Sequence, residues 1–280
     1  MRLLTSVTSV MRFVLIPALL CVAGQAASLA EPTLVDQGYR QMYNLDFAGA
    51  HRSFDQWQRE HPEDPLGPVS DAAAYLFGEF DRLHILQSQL FVNDDSFRGM
   101  KKPATDEQVR KGFESDLEKG RKLSDAILSR SPQDKNAAFA TVLRMGLRAD
   151  YFSLIEDRNL QALLEMKNGR IMAEKLLSAD PGYYDAYLAV GMENYMLSLK
   201  PAPARWLLRL SGAQTSKEQG IAKMKLVAQN GHYLRPFARL LLAVQNLRDK
   251  NVAAAKQLLA GLAREFPGNL LYAQELAKLH

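Results

Sequence analysis

The residues of this 280-residue chain best suited to metal or nucleophilic chemistry are five histidines and one cysteine, and their spacing gives them no common task. His51 and His61 fall on or just after one helix, too far apart to share a metal face. His84, His232 and His280 stand isolated. Cys21 lies inside an apolar N-terminal run. There is no His-Glu-x-x-His pair and no Gly-x-Ser-x-Gly elbow. Ser211 to Gly220 has the composition of a phosphate-cradling loop in the wrong order. Asn93-Asp94-Asp95-Ser96 resembles part of a calcium loop but lacks the alternating acidic ligands and the closing glutamate, so it reads as a solvated turn. The sequence predicts no catalytic residue, no metal ligand and no cofactor, and therefore no enzyme.

What recurs instead is a set of apolar and aromatic residues at helical spacing. Tyr39, Met42 and Tyr43 fall on one helix, Leu76 and Phe77 on another, and Met192, Tyr195 and Met196 on a third. They are the candidates for a ligand-facing row. Such a row packs as core if long helices and inserts fold over it, or forms an apolar groove for a peptide or acyl-like ligand if they do not. Methionine suits either role, because its unbranched thioether adapts to irregular surfaces.

The elements that must position this row are marked by a recurring stop. Pro62, Pro132, Pro181 and Pro267 each follow an amphipathic stretch and precede a new one. Proline cannot continue a helix and pushes the residue before it into extended conformation. The first unit spans about Thr33 to Glu60, with its turn at Asn44-Leu45-Asp46, Gly38 letting the second helix approach, and Ala50 and Phe54 facing inward. A similar unit runs from Phe237 to Pro267, turning at Asp249-Lys250-Asn251, with a stripe of Ala255, Leu259 and Leu262. Between them, helical pattern covers Val69–Leu90, Asp106–Ser129, Ala137–Ile155 and Asn159–Ala179, with a turn-rich stretch from Asn93 to Thr105. After Pro181 comes a tyrosine-rich helix with Tyr184, Tyr187, Val190, Gly191 and Tyr195. An apolar insert, Leu199 to Gly212, follows it directly; its Trp206, Leu207 and Leu208 need an apolar surface to cover, so Tyr195 is expected to lie buried beneath the insert and Tyr39 to be the more exposed tyrosine. A helix from Lys217 to Ala228 comes next. Asn269 to Leu279 closes the array over the last unit, where Leu270, Tyr272, Leu276 and Leu279 are expected to be buried.

The pattern Tyr187-x-x-Val190-Gly191 resembles the first helix of a tetratricopeptide repeat. Gly38, Ala50, Phe54 and Pro62, and more loosely Ala243, Ala255, Leu259 and Pro267, resemble the repeat as a whole. The tyrosine-rich helix, proline-bounded insert and Gln219-Gly220-Ile221 helix start resemble the tetratricopeptide-repeat-39-like group and its exported bacterial look-alikes. The spacings depart from that family: Pro62 to Pro132 is 70 residues and Pro132 to Pro181 is 49, against a usual repeat of about 34. The resemblance implies an all-α, right-handed solenoid of helix pairs with elongated helices and inserts, and an interaction role without chemistry.

The N-terminus reads as an export signal. Arg2 and Arg12 precede the apolar run Phe13–Ala23, too short to span a bilayer, and Gly24-Gln25-Ala26 and Ser28-Leu29-Ala30 each offer a small-residue cleavage site. Residues 1–30 are expected to be a signal peptide and residues 31–280 a helical-repeat domain, periplasmic or secreted, with no membrane span after cleavage. The formal charge of +4 drops to near +2 without the two signal arginines, and acids and bases are interspersed. Nucleic acid is therefore not an expected partner. Two functional classes fit: a non-enzymatic scaffold binding another envelope protein or peptide, or a carrier or sensor enclosing an apolar small ligand in its concave groove.

Overall fold

The computed structural model describes residues 31–85, 104–210 and 212–279. The expected signal peptide with Cys21, the last residues of the Val69–Leu90 helical pattern, the turn-rich stretch from Asn93 up to residue 103 with its calcium-like Asn93–Ser96, Ser211 and His280 lie outside them. So does the side chain of Leu207. Within the described residues the helix expected over Val69–Leu90 ends at Arg82, where a turn with His84 at positive φ closes it.

Every regular element among the described residues is a helix. In order they form α1 (Leu34–Tyr43), α2 (Phe47–Glu60), α3 (Leu66–Arg82), α4 (Glu107–Arg130), α5 (Lys135–Leu154), α6 (Asn159–Ala179), a 3₁₀ turn at Tyr184–Ala186, α7 (Tyr187–Ser198), α8 (Ala202–Leu210), α9 (Lys217–Asn230), α10 (Arg235–Arg248), α11 (Val252–Glu265) and α12 (Leu270–Ala277). Helices pack as pairs in sequence order: α1 with α2, α3 with α4, α5 with α6, α7 with α9, and α10 with α11. The α8 segment is inserted in the fourth pair, and α12 follows on α11.

The proline stops produce one local geometry four times. His61, Ser131, Asp180 and Phe266 each take φ between −143° and −127° with ψ between 66° and 90°. Each still donates its N–H to the carbonyl four residues back, then accepts from the N–H three residues on. The helix thus keeps its last hydrogen bond before the residue ahead of proline leaves the helical region. Asp134 and Asn269, at the end of two such turns, cap the next helix by accepting from Ala137 and Leu271 N–H.

The turn inside each pair repeats as well. Leu45, His84, Asp157, Gly212 and Lys250 have φ between 56° and 81° and follow α1, α3, α5, α8 and α10. At Leu45, His84, Gly212 and Lys250 the next residue donates its N–H to the carbonyl five residues back, the Schellman closure. Only one of the five is glycine, so this mark is nearly silent in the sequence.

Close helix crossings use small residues. A Cβ on Gly191 would lie 3.0 Å from the Gly220 carbonyl oxygen, and one on Gly220 would lie 2.7 Å from the Tyr195 nitrogen. The pair lets α7 and α9 cross backbone to backbone. Gly38 packs flat against the Phe54 ring in the same manner.

Two expectations need correction. The insert does not roof Tyr195 with Trp206: that indole is 62% exposed and Leu210 is 68% exposed. The return of the insert is held by polar contacts instead. Arg170 Nη2 donates to Gly212 O (3.2 Å), Gln214 Nε2 to Glu174 Oε1 (2.6 Å) and Asn194 Nδ2 to Gln214 Oε1 (2.7 Å). At the C-terminus α12 buries Tyr272 and packs Leu276 and Leu279 partly against the core, but Leu270 is 64% exposed. Residues 270 and 272 point about 200° apart on a helix, so one of them must face out.

Candidate functional site

The first helices of all five pairs, together with α12, surround an apolar cavity of about 290 Å³. α1 contributes Tyr39, Met42 and Tyr43; α3 contributes Ala73, Phe77 and Phe80; α7 contributes Met192, Tyr195 and Met196. The α5 wall carries Leu143, Leu147, Asp150 and Leu154. Second helices reach it only through a few side chains such as Met166, Met224 and Leu259.

Seven of the eight candidate residues from the sequence line this space: Tyr39, Met42, Tyr43, Phe77, Met192, Tyr195 and Met196. Leu76 does not. It is buried at 1% exposure elsewhere in the core, because neighbouring residues on a helix diverge by about 100° and Phe77 takes the inward direction. Tyr39, expected to be the more exposed tyrosine, is buried at 3%. The row is therefore an enclosed wall over most of its length. Met196, 39% exposed, and Gly146 are lining residues that reach the surface.

The enclosure arises because α1 meets the last pair. Tyr43 Oη donates to Tyr233 O at 2.9 Å, Asn269 Nδ2 to Tyr43 O at 3.0 Å, and Gly268 N to Asn44 Oδ1 at 2.9 Å. His232 Nε2 meets the Asp36 carboxylate. Rings reinforce the junction: Tyr233 lies 4.9 Å from Tyr39 and 6.2 Å from Phe139, and Tyr43 lies 5.4 Å from Phe266. Burial raises the ionisation of Tyr39 and Tyr43 well above the ordinary phenol range, so both act as neutral hydrogen-bonding groups.

The loop carrying Tyr233 is itself anchored. The Asp185 carboxylate accepts from the backbone N–H groups of His232, Tyr233 and Leu234 at 3.0, 3.1 and 3.0 Å. These are the otherwise unpaired donors leading into α10. Burial outweighs those bonds and leaves the carboxyl above its ordinary range.

Asp150 is a different acid. It makes no hydrogen bond and no ion pair with any described residue. Asp150 is part-buried and lines the cavity. Burial alone pushes it up to about 7. The sequence reading passed over it, yet a signal was present: Leu143, Leu147, Asp150 and Leu154 form one inward stripe, and Asp150 is its one charged member.

A second polar cluster lies off the cavity. His51 Nδ1 meets Asp71 Oδ1, and burial together with Asp71 pushes Asp116 up to about 8. Among the described residues no three His, Cys, Asp or Glu side chains are placed to hold a metal ion. None of the described helices is long and apolar enough to cross a membrane. No family model, no curated protein and no solved structure matches the chain.

Proposed function

We propose that this chain is a non-enzymatic binding protein of the bacterial envelope, exported by its N-terminal segment, that encloses an apolar small ligand in the space between its repeats. The observation that carries this reading is the apolar cavity lined by the first helix of every pair. Its volume sits near the lower end of ligand pockets, roughly 300–1,000 Å³. Methionine on four of its helices (Met42, Met166, Met192 with Met196, and Met224) gives a lining that adapts to shape. The right-handed tetratricopeptide-like solenoid is part of the same proposal. It is supported by the repeated pairing and by the repeated stops and turns. The protein purified from its own envelope should release a near-stoichiometric apolar molecule on solvent extraction, read by mass spectrometry. Protein that carries none and fails to take up an apolar fluorescent probe overturns the carrier reading.

A scaffold role is the second reading, favoured by apolar side chains left on the outside. Leu160, Leu164 and Ile171 of α6 are 75%, 61% and 49% exposed, and Trp206 and Leu210 share a face of α8. A protein or peptide partner captured by the wild type should be lost on Leu164→Ser or Trp206→Ser, while the probe in the cavity stays bound.

A further inference from the structure

The charge inventory of the cavity separates one group from the rest. Glu165 pairs with Arg148 at 3.1 Å, Glu275 with Lys278 at 2.7 Å, and Asp185 with three backbone N–H groups. Arg248 also has a partner. Asp150 has none among the described residues, and it sits on a wall of Leu143, Leu147 and Leu154. A carboxyl placed in apolar surroundings without a donor is costly to keep, unless what enters the space completes it.

We propose that the cavity takes an amphiphilic amine, with its hydrocarbon body against the methionines and leucines and its ammonium group paired with the Asp150 carboxylate. This rests on the enclosed-ligand reading above and specifies its chemistry. An ammonium within hydrogen-bond reach supplies both the opposite charge and the donors that Asp150 lacks. It would also return the carboxyl to the ionised form that burial now disfavours. A fatty acid anion would be rejected by the same group, since two carboxylates brought together in an apolar site repel each other. A neutral alcohol of equal length would gain the apolar contacts alone.

The test uses decylamine, decanol and decanoate, titrated at pH 8 below their aggregation limits against the full-length protein. Three forms are compared: wild type, Asp150→Asn and Gly146→Phe. Gly146 lines the cavity and has open space where a side chain would begin, so phenylalanine there obstructs without a clash. Wild type should bind decylamine about tenfold or more tighter than decanol, and decanol tighter than decanoate. Asp150→Asn should reduce decylamine to the decanol level and leave decanol unchanged. Gly146→Phe should weaken all three together. Equal binding of amine and alcohol, or an amine preference that survives Asp150→Asn, overturns the amine proposal while decanol binding keeps the cavity reading. If none of the three binds and Gly146→Phe melts as wild type does, both readings fall.

Discussion

Two acids on the same cavity, Asp185 buried and Asp150 part-buried, face opposite circumstances. Asp185 takes three backbone N–H groups and fixes the loop that carries Tyr233 against α1. Asp150 takes nothing from the described protein. The first acid closes the structure, and its burial is partly offset by donors that would otherwise be unpaired. The second is a polar point left inside an apolar wall. The contrast separates a residue that the fold requires from one that the fold tolerates, and the tolerated one marks the site.

The largest effect should come from breaking the closed side. Asp185→Ala takes the acceptor from three N–H groups, of which that of Leu234 is buried and those of His232 and Tyr233 lie nearer the surface, and should cost about 2–4 kcal/mol, since each unsatisfied buried donor costs roughly 1–3. Denaturant melts read this directly. A loss under about 1 kcal/mol would mean water replaces the carboxylate and the loop is not held by it.

Next in size is the crossing beneath the cavity. Gly191→Leu meets the Gly220 carbonyl and Met224 and should destabilise by roughly 1–3 kcal/mol. A melting temperature equal to wild type would show that α7 and α9 can separate at no cost.

Asp150 sharpens the comparison through pH. Its folded value, about 7, lies above that of an unfolded aspartate. Below about pH 4 both states hold the proton and nothing is lost. From there to about 7 the unfolded chain releases its proton while the folded chain keeps it, so stability falls as pH rises. Above about 7 the loss is complete. Burial alone drives the shift, as no neighbouring charge contributes. Asp150→Asn should therefore match wild type near pH 4 and exceed it by about 1–2 kcal/mol at pH 8, after allowance for water in the cavity. Parallel stability curves for the two proteins would show that the carboxyl titrates normally.

The smallest effects belong to the exposed edge and to the turns. Met196→Ala should change stability by no more than about 0.5 kcal/mol, because the side chain is 39% exposed. It should still alter probe uptake. Lys250→Gly should stabilise by roughly 0.5–1 kcal/mol, because a left-handed residue without a Cβ avoids the strain of φ 59°. Thermal melts check both.

Much of the helical order was legible in the residues. Pro62, Pro132, Pro181 and Pro267 stop helices through covalent geometry, which acts wherever the chain goes, and α2, α4, α6 and α11 end there. Amphipathic spacing likewise placed α5, α6, α10 and α11 within a few residues of their observed ends. The Schellman turns were hidden, because leucine, histidine, aspartate and lysine stand where glycine would have announced them. The exposure of Trp206 was also misread: an apolar side chain asks for a cover, but only neighbours decide whether one arrives.

By itself, then, the sequence determined where the proline-stopped helices end and which faces are apolar, since backbone sterics and side-chain period are local properties. Only the tertiary structure decided what those faces enclose. Tyr43 and Tyr233 are 190 residues apart, and their hydrogen bond turns a groove into a cavity. Whether Asp150 is solvated or stranded depends on the same closure, because a carboxyl's environment is set by what packs around it and not by its neighbours in the chain.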